Sequence, residues 1–174
     1  MKSPIRRFIL TALFLAACRL HAAAPNWDDW KPLLGSWTAA DSSGAPGKAS
    51  AGLCSFSLDL QDHVMVRKNH AEYPAANGRP ATAHDDFMII FQRGTAVRAF
   101  YYDSEGHEID YAASWNERSR TWQFLSDAFH GAPRYRLIYT LVSPQELKLK
   151  FEIAPPGKPE DFKTYIEASL QRKR

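Results

Sequence analysis

Three short segments carry side chains able to do chemistry. His84, Asp85 and Asp86 stand just ahead of the apolar run 87–91. An imidazole beside carboxylates could bind a metal or form an acid–base pair. A metal needs three or four converging ligands, and no second cluster of fixed spacing accompanies this one. His63 and His70, seven apart, suit neither one face of a helix nor one face of a strand. No metal is expected, so His84 and Asp86 are candidate ligand contacts. The plainer reading makes them a cluster where a strand begins, facing solvent or bonded to a loop.

In the second segment, Glu105-Gly106-His107-Glu108 follows Tyr101-Tyr102-Asp103. A hairpin turn there sets His107 near Asp103, where a carboxylate would tune the imidazole as a general base. Tyr111 shares the strand face of His107 and Ile109 and could line a pocket. In the third, Arg134 and Arg136 oppose Tyr135, Leu137 and Tyr139. If the arginine face points inward, it could clamp an anionic head group. If Leu137 points inward, the arginines are solvated. Glu72 and Glu152 pose the same alternative, and an inward Glu–Arg pair would be a polar focus or a structural ion pair. The candidate ligand-binding residues are therefore Glu72, His84, Asp86, His107, Tyr111 and Arg136.

Catalytic residues stay unassigned. The chain has no Gly-x-Ser-x-Gly, no phosphate-cradling glycine loop and no His-Glu-x-x-His. No cofactor is expected.

The elements that must position these residues are strands. From Trp37 onward the apolar period is two. The clearest run is 146–153, where Leu147, Leu149, Phe151 and Ile153 alternate with Lys148, Lys150 and Glu152. Residues 135–141 alternate likewise, and Ser143-Pro144-Gln145-Glu146 joins the two as a hairpin. Further strands are predicted over 34–40, 52–60, 64–73, 86–92, 96–102, 108–115, 121–125 and 162–170. In the last, Phe162, Thr164, Ile166, Ala168 and Leu170 fall on one side. Turn signals such as Asn77-Gly78-Arg79-Pro80, Arg93-Gly94 and Pro155-Pro156-Gly157 divide them. Helical pattern is confined to 27–34, with Trp27, Trp30 and Leu34 on one face. Residues 41–50 and 74–83 read as small-residue loops, and neither is a domain linker.

Short links between about ten strands describe an antiparallel meander, not βαβ units. An open sheet of that size exposes two edges and tends to curl or split. Closing it removes the edges. The expected fold is all-β, an up-and-down barrel of about ten strands, with a sandwich as the competing arrangement.

Charge and composition narrow the function. Lys and Arg number 22 against 19 Asp and Glu, but Lys2, Arg6, Arg7 and Arg19 all lie in the first 24 residues. Without them, 18 basic residues face 19 acidic ones. Such a body does not suit a phosphate-backbone binder, and the Tyr and Trp residues sit beside acidic ones, so no nucleic-acid partner is expected. Five Trp, seven Tyr and ten Phe suit strands or an aromatic-lined pocket.

Residues 1–24 have the parts of a secretory signal: a basic start, an apolar stretch over 8–17, and small residues at Ala22, Ala23 and Ala24. The stretch is too short to span a bilayer, which takes roughly 20 residues. The expectation is an exported, periplasmic or secreted single domain over 25–174. Leu15-Ala16-Ala17-Cys18 also resembles a bacterial lipobox, so the alternative to simple cleavage is a lipid anchor at Cys18, the one route to a membrane. Either route leaves Cys54 alone, and its alternating surroundings make it a small buried residue rather than a reactive thiol.

Leu33-Leu34-Gly35-Ser36-Trp37, just after the export segment, resembles the Gly-x-Trp opening of lipocalins and their calycin relatives. The mature chain looks like secreted bacterial lipocalin-like proteins of unknown function. Asn69-His70-Ala71-Glu72-Tyr73-Pro74 and the stretch from Phe151 to Pro159 add to the likeness. The resemblance implies a lipocalin-like or fatty-acid-binding-protein-like barrel, its Trp closing the floor, with room inside for a small ligand. Two relatives differ. The gap between the first two strands is too short for the helical lid of fatty-acid-binding proteins, and their C-terminal Arg-x-Tyr is missing. Nitrobindin-like barrels hold haem through a His near the C-terminus, and this chain has none after His130.

The leading functional expectation is a carrier or sensor of a small, largely apolar molecule. A calycin-type enzyme, an isomerase or decarboxylase using these His, Tyr, Arg and Glu side chains, is the alternative. A structural or interaction role in the cell envelope is the third.

Overall fold

The computed structural model describes residues 24–39, 51–75 and 78–173. The export segment apart from Ala24, including Cys18, and the loop expected over 41–50 lie outside the described residues.

Ten antiparallel strands close into one up-and-down barrel: β1 (Gly35–Ala39), β2 (Ala51–Asp59), β3 (Val64–Tyr73), β4 (Thr82–Arg93), β5 (Ala96–Asp103), β6 (Glu108–Asn116), β7 (Thr121–Ser126), β8 (Arg134–Ser143), β9 (Glu146–Ala154) and β10 (Lys163–Arg172). Each strand pairs with its sequence neighbours, and β1 closes on β10 through Trp37 opposite Arg172. Among the described residues no strand edge is left open, which answers the liability an open sheet would carry. This barrel is consistent with a calycin-like fold. No helix among the described residues is long and apolar enough to cross a membrane.

The floor is built around a six-residue 3-10 helix, Asp28–Leu33, whose Trp30 and Leu33 are buried together with the preceding Trp27. The carbonyls at and just after such a helix end have no partners within it and must find them elsewhere. Here the barrel supplies them. Trp37 Nε1 donates to the Leu33 carbonyl at 2.8 Å. Trp122 Nε1 donates at 3.0 Å to the carbonyl of Asp29 in the first turn, which gets no i+3 bond because Pro32 has no N–H. Arg172 donates to the carbonyls of Pro32 (2.8 Å) and Leu34 (2.5 Å), and its guanidinium stacks 4.1 Å from the Trp37 ring. Indole and guanidinium thus bury apolar surface while their donors seal the helix end.

Above the floor the interior is densely filled. Trp37, Phe56, Met65, Met88, Ile90, Trp122, Phe124, Tyr139 and Leu147 are all buried, with edge-to-face contacts linking Trp30, Phe124 and Tyr139. Packing loosens upward. Along β9 the inward side chains pass from fully buried Leu147 to half-buried Leu149 and Phe151, and along β10 from Leu170 through Ala168 to Ile166, which is 36% exposed. The barrel is therefore a filled lower half beneath a partly open upper half.

Two details depart from the sequence expectation. β4 begins four residues earlier than predicted, at Thr82, so His84 lies within a strand. In β10 an irregularity between Thr164 and Ile166 sets Thr164 opposite Glu152 but Ile166 opposite Phe151. Such a bulge reverses which side chains point inward. Phe162 and Thr164 thereby leave the face of Ile166, Ala168 and Leu170, and Phe162 covers the outer side of the barrel.

Candidate functional site

The inward residues of β3 are Met65, Arg67, Asn69, Ala71 and Tyr73, and register places Asn69 opposite Asp86 of β4. Arg67 is 3% exposed. A buried guanidinium is tolerated only when paired and hydrogen-bonded. Its Nη1 donates to Asp86 Oδ1, and its Nε donates to the Tyr139 hydroxyl at 2.6 Å. Asn69 Nδ2 donates to the other Asp86 oxygen at 3.0 Å. Burial works against the Arg67 charge, but Tyr139 and Asp86 hold it protonated. Burial also pushes up both the Tyr139 hydroxyl and the Cys54 thiol, which lies 3.9 Å from that hydroxyl. Cys54 is thus buried and protonated, as its surroundings in the sequence indicate.

From Asp86 the polar network climbs to the rim. His84 Nε2 lies 3.3 Å from Asp86 Oδ2 and 3.3 Å from the Tyr101 hydroxyl, while its Nδ1 lies 2.8 Å from Glu105. The hydrogen bond to Asp86, offset in part by burial and aided by Glu105, raises the His84 pKa to about 8. Tyr101 donates to Asp103 Oδ2 at 3.3 Å, and Asp103 accepts from His107 Nδ1 at 2.9 Å. Partial burial works against the Asp103 charge, but the His107 amide and imidazole and the Glu105 amide hold its pKa below the usual value. His84, Asp103 and Glu105 each bring a ligand atom within 4.8 Å of the others, enough to approach a cation.

Four of the six candidate residues belong to this arrangement. Asp86 is its buried anchor, and His84 is the link to the rim. His107 pairs with Asp103 across the turn, as the hairpin spacing implies. Tyr111 is buried on the inner face of β6, its ring 6.3 Å from that of Tyr101. Glu72 and Arg136 lie elsewhere, on the outer wall. Glu72 meets His70 at 3.3 Å on the outer face of β3. Leu137 points inward, so Arg136 points outward, where it pairs with Glu152 at 2.6 Å under the Phe162 ring. It borders a groove of about 470 Å³ across β7–β10. Another outer groove, about 520 Å³, runs over β2–β5 past Leu53, Lys68, His70, Phe87 and Tyr102.

Sequence reasoning missed Arg67, Asn69, Tyr101 and Tyr139. The available signal was parity: Arg67 and Asn69 share a strand face with Met65 and Ala71, which are apolar or small core types. Val64 and Val66 on the other face masked it.

Opposite the polar wall, the upper interior is aromatic. Tyr135 and Phe151 stack in parallel at 6.1 Å, and Tyr165 meets Phe151 edge-on at 6.2 Å. Tyr73 on β3 is half-buried on the inner face. The upper half of the barrel thus has one charged, internally bonded wall and one aromatic wall. No family model matches the chain, and no curated protein sequence matches it.

Proposed function

We propose that the protein is a lipocalin-like carrier that binds a small, largely apolar molecule in the upper half of its barrel. The observation carrying this reading is the gradient of exposure along β8–β10. Tyr135, Phe151 and Ile166 face inward yet remain partly exposed, whereas Leu141, Leu147 and Leu170 on the same faces are buried. Half-wet aromatic surface inside a closed wall is what an apolar guest would cover, at roughly 25 cal/mol per Å² removed from water. The signal-like residues 1–24 support an exported carrier, held to a membrane only if Cys18 is lipidated.

The test is titration with the neutral fluorophore N-phenylnaphthylamine. Saturable one-to-one binding is expected, and it should be lost when Ala168→Trp fills the upper half from β10. Absence of saturable binding, or binding indifferent to Ala168→Trp in a folded variant, refutes the reading.

A further inference from the structure

Sequence spacing gives His84 and Asp86 no companion ligands, but strand pairing does. Register sets Asp86 of β4 opposite Asp103 of β5, and the turn after β5 folds back over β4, where the Ser104 amide donates to the Asp85 carbonyl at 2.8 Å. His84, Asp103 and Glu105 thereby bring one ligand atom each within 4.8 Å of one another, and no other trio of His, Cys, Asp or Glu does so among the described residues. The donors of a tetrahedral zinc stand about 3.4 Å apart, each about 2.0–2.2 Å from the metal. Glu105, its side chain 46% exposed, can close that difference by rotating about its own bonds.

The groups behind the trio hold it as a metal requires. An imidazole that ligates a metal gives its second ring nitrogen to a carboxylate, a carbonyl or water, which fixes the tautomer. His84 Nε2 lies 3.3 Å from Asp86 Oδ2, and that carboxylate is 4% exposed and anchored by Arg67 and Asn69. Nδ1 is left facing Glu105 at 2.8 Å. Asp103, its side chain 6% exposed, accepts at Oδ1 from the amides of Glu105 (3.0 Å) and His107 (2.9 Å), and His107 Nδ1 lies 2.9 Å from Oδ2. Among the described residues the ion-pair partners of Asp103 and Glu105 are imidazoles, never a lysine or arginine. A nearly buried carboxylate calls for a paired cation or a metal, and here no permanently charged side chain supplies it.

The donor atoms decide the class of ion. Calcium takes about six to eight oxygens and magnesium an octahedron of oxygens, whereas an imidazole nitrogen suits zinc, nickel or copper. We infer that His84 Nδ1, Asp103 and Glu105 form a zinc-type divalent metal site at the barrel rim, with Asp86 and His107 as positioning residues behind it. Three protein ligands leave a coordination position for water or another donor. The site is separate from the aromatic wall and does not rest on the carrier reading.

Calorimetric titration of the EDTA-stripped and dialysed full chain with Zn2+ at neutral pH tests it, with Ca2+ and Mg2+ as parallel probes. One Zn2+ per chain should bind, at least about tenfold tighter than either hard cation. His84→Gln and Glu105→Gln should each weaken Zn2+ by about tenfold or more. His70→Gln should leave it unchanged, because the carboxylates of Asp85 and Glu72 sit on opposite nitrogens of that outer-face ring. Melting curves establish that the variants are folded, and Glu105 stands on an exposed turn where its loss costs little packing. Absence of saturable Zn2+ binding overturns the inference. Binding untouched by both Glu105→Gln and His84→Gln, or abolished by His70→Gln, overturns the assigned ligands, and tighter binding of Ca2+ or Mg2+ overturns the nitrogen-containing donor set. None of these results alters the fluorophore titration that tests the carrier.

Discussion

Arg67 of β3 and Asp86 of β4 form an ion pair inside the barrel, both side chains almost wholly removed from solvent. Such a pair stabilises little relative to apolar residues of the same volume, yet either partner alone is a buried, uncompensated charge. Asp86→Ala should therefore destabilise the protein by about 3–5 kcal/mol. The double variant Arg67→Met/Asp86→Ala should recover a substantial part of that loss. Urea denaturation at neutral pH measures both. A single variant within about 1 kcal/mol of the parent would mean that water already solvates the pair.

His84 makes stability depend on pH. Its pKa rises from 6.5 to about 8, first through the hydrogen bond to Asp86 and then through Glu105, with burial opposing and Tyr101 as a neutral neighbour. A group whose pKa is raised on folding contributes its full stabilisation below the unfolded value and loses it as pH rises through the folded one. The window is therefore pH 6.5 to 8. The side chain is 27% exposed, so solvent screening trims the effect to about 1 kcal/mol. His84→Gln should flatten the stability profile across that window. An unchanged slope between pH 6 and pH 9 would show that the imidazole does not titrate against Asp86.

Much of the architecture was legible because strand alternation is a direct print of one buried face. Leu147, Leu149 and Phe151 announced β9, and Trp27 and Trp30 announced the floor helix. The turn at Gly106 placed His107 on Asp103 because a hairpin leaves few alternatives. The interior ion pair was not legible. Arg67 and Asp86 are 19 residues apart, and only the register of β3 against β4 joins them. Arg67 sits beside Lys68, and such neighbours look like a solvated strand face unless the inward parity is known. Phe162 failed for a related reason: alternation assumes unbroken pairing, and the bulge at Thr164/Ile166 breaks it.

The mature N-terminus tests the export signal independently of the barrel. Intact-mass analysis of protein expressed with its first 24 residues, in a bacterium able to process them, should show that segment removed. Cleavage near Ala22–Ala24 leaves an unmodified chain. A mass beginning at Cys18 with added acyl groups identifies the anchored form, and an uncleaved chain eliminates the signal reading.

Arg172 ties the barrel closure to the floor. It donates to the carbonyls of Pro32, Leu34 and Pro144 and stacks on Trp37, so a single fork joins β10, the helix end and the β8–β9 turn. A lysine ammonium cannot reproduce that planar set, and Arg172→Lys should cost about 2–4 kcal/mol, read by chemical denaturation. Gly35 belongs to the same unit. Its φ is +112°, and a Cβ there would lie 2.9 Å from Arg172 Nη1. Backbone strain alone should make Gly35→Ala destabilising by about 1–3 kcal/mol. The steric part depends on the guanidinium being held in place, so it should disappear once the side chain is shortened. In a double-mutant cycle, Gly35→Ala should therefore cost less in an Arg172→Ala background than in the parent. Strict additivity would show that Arg172 yields to the new methyl group and that the floor is held by Trp37 and the helix instead.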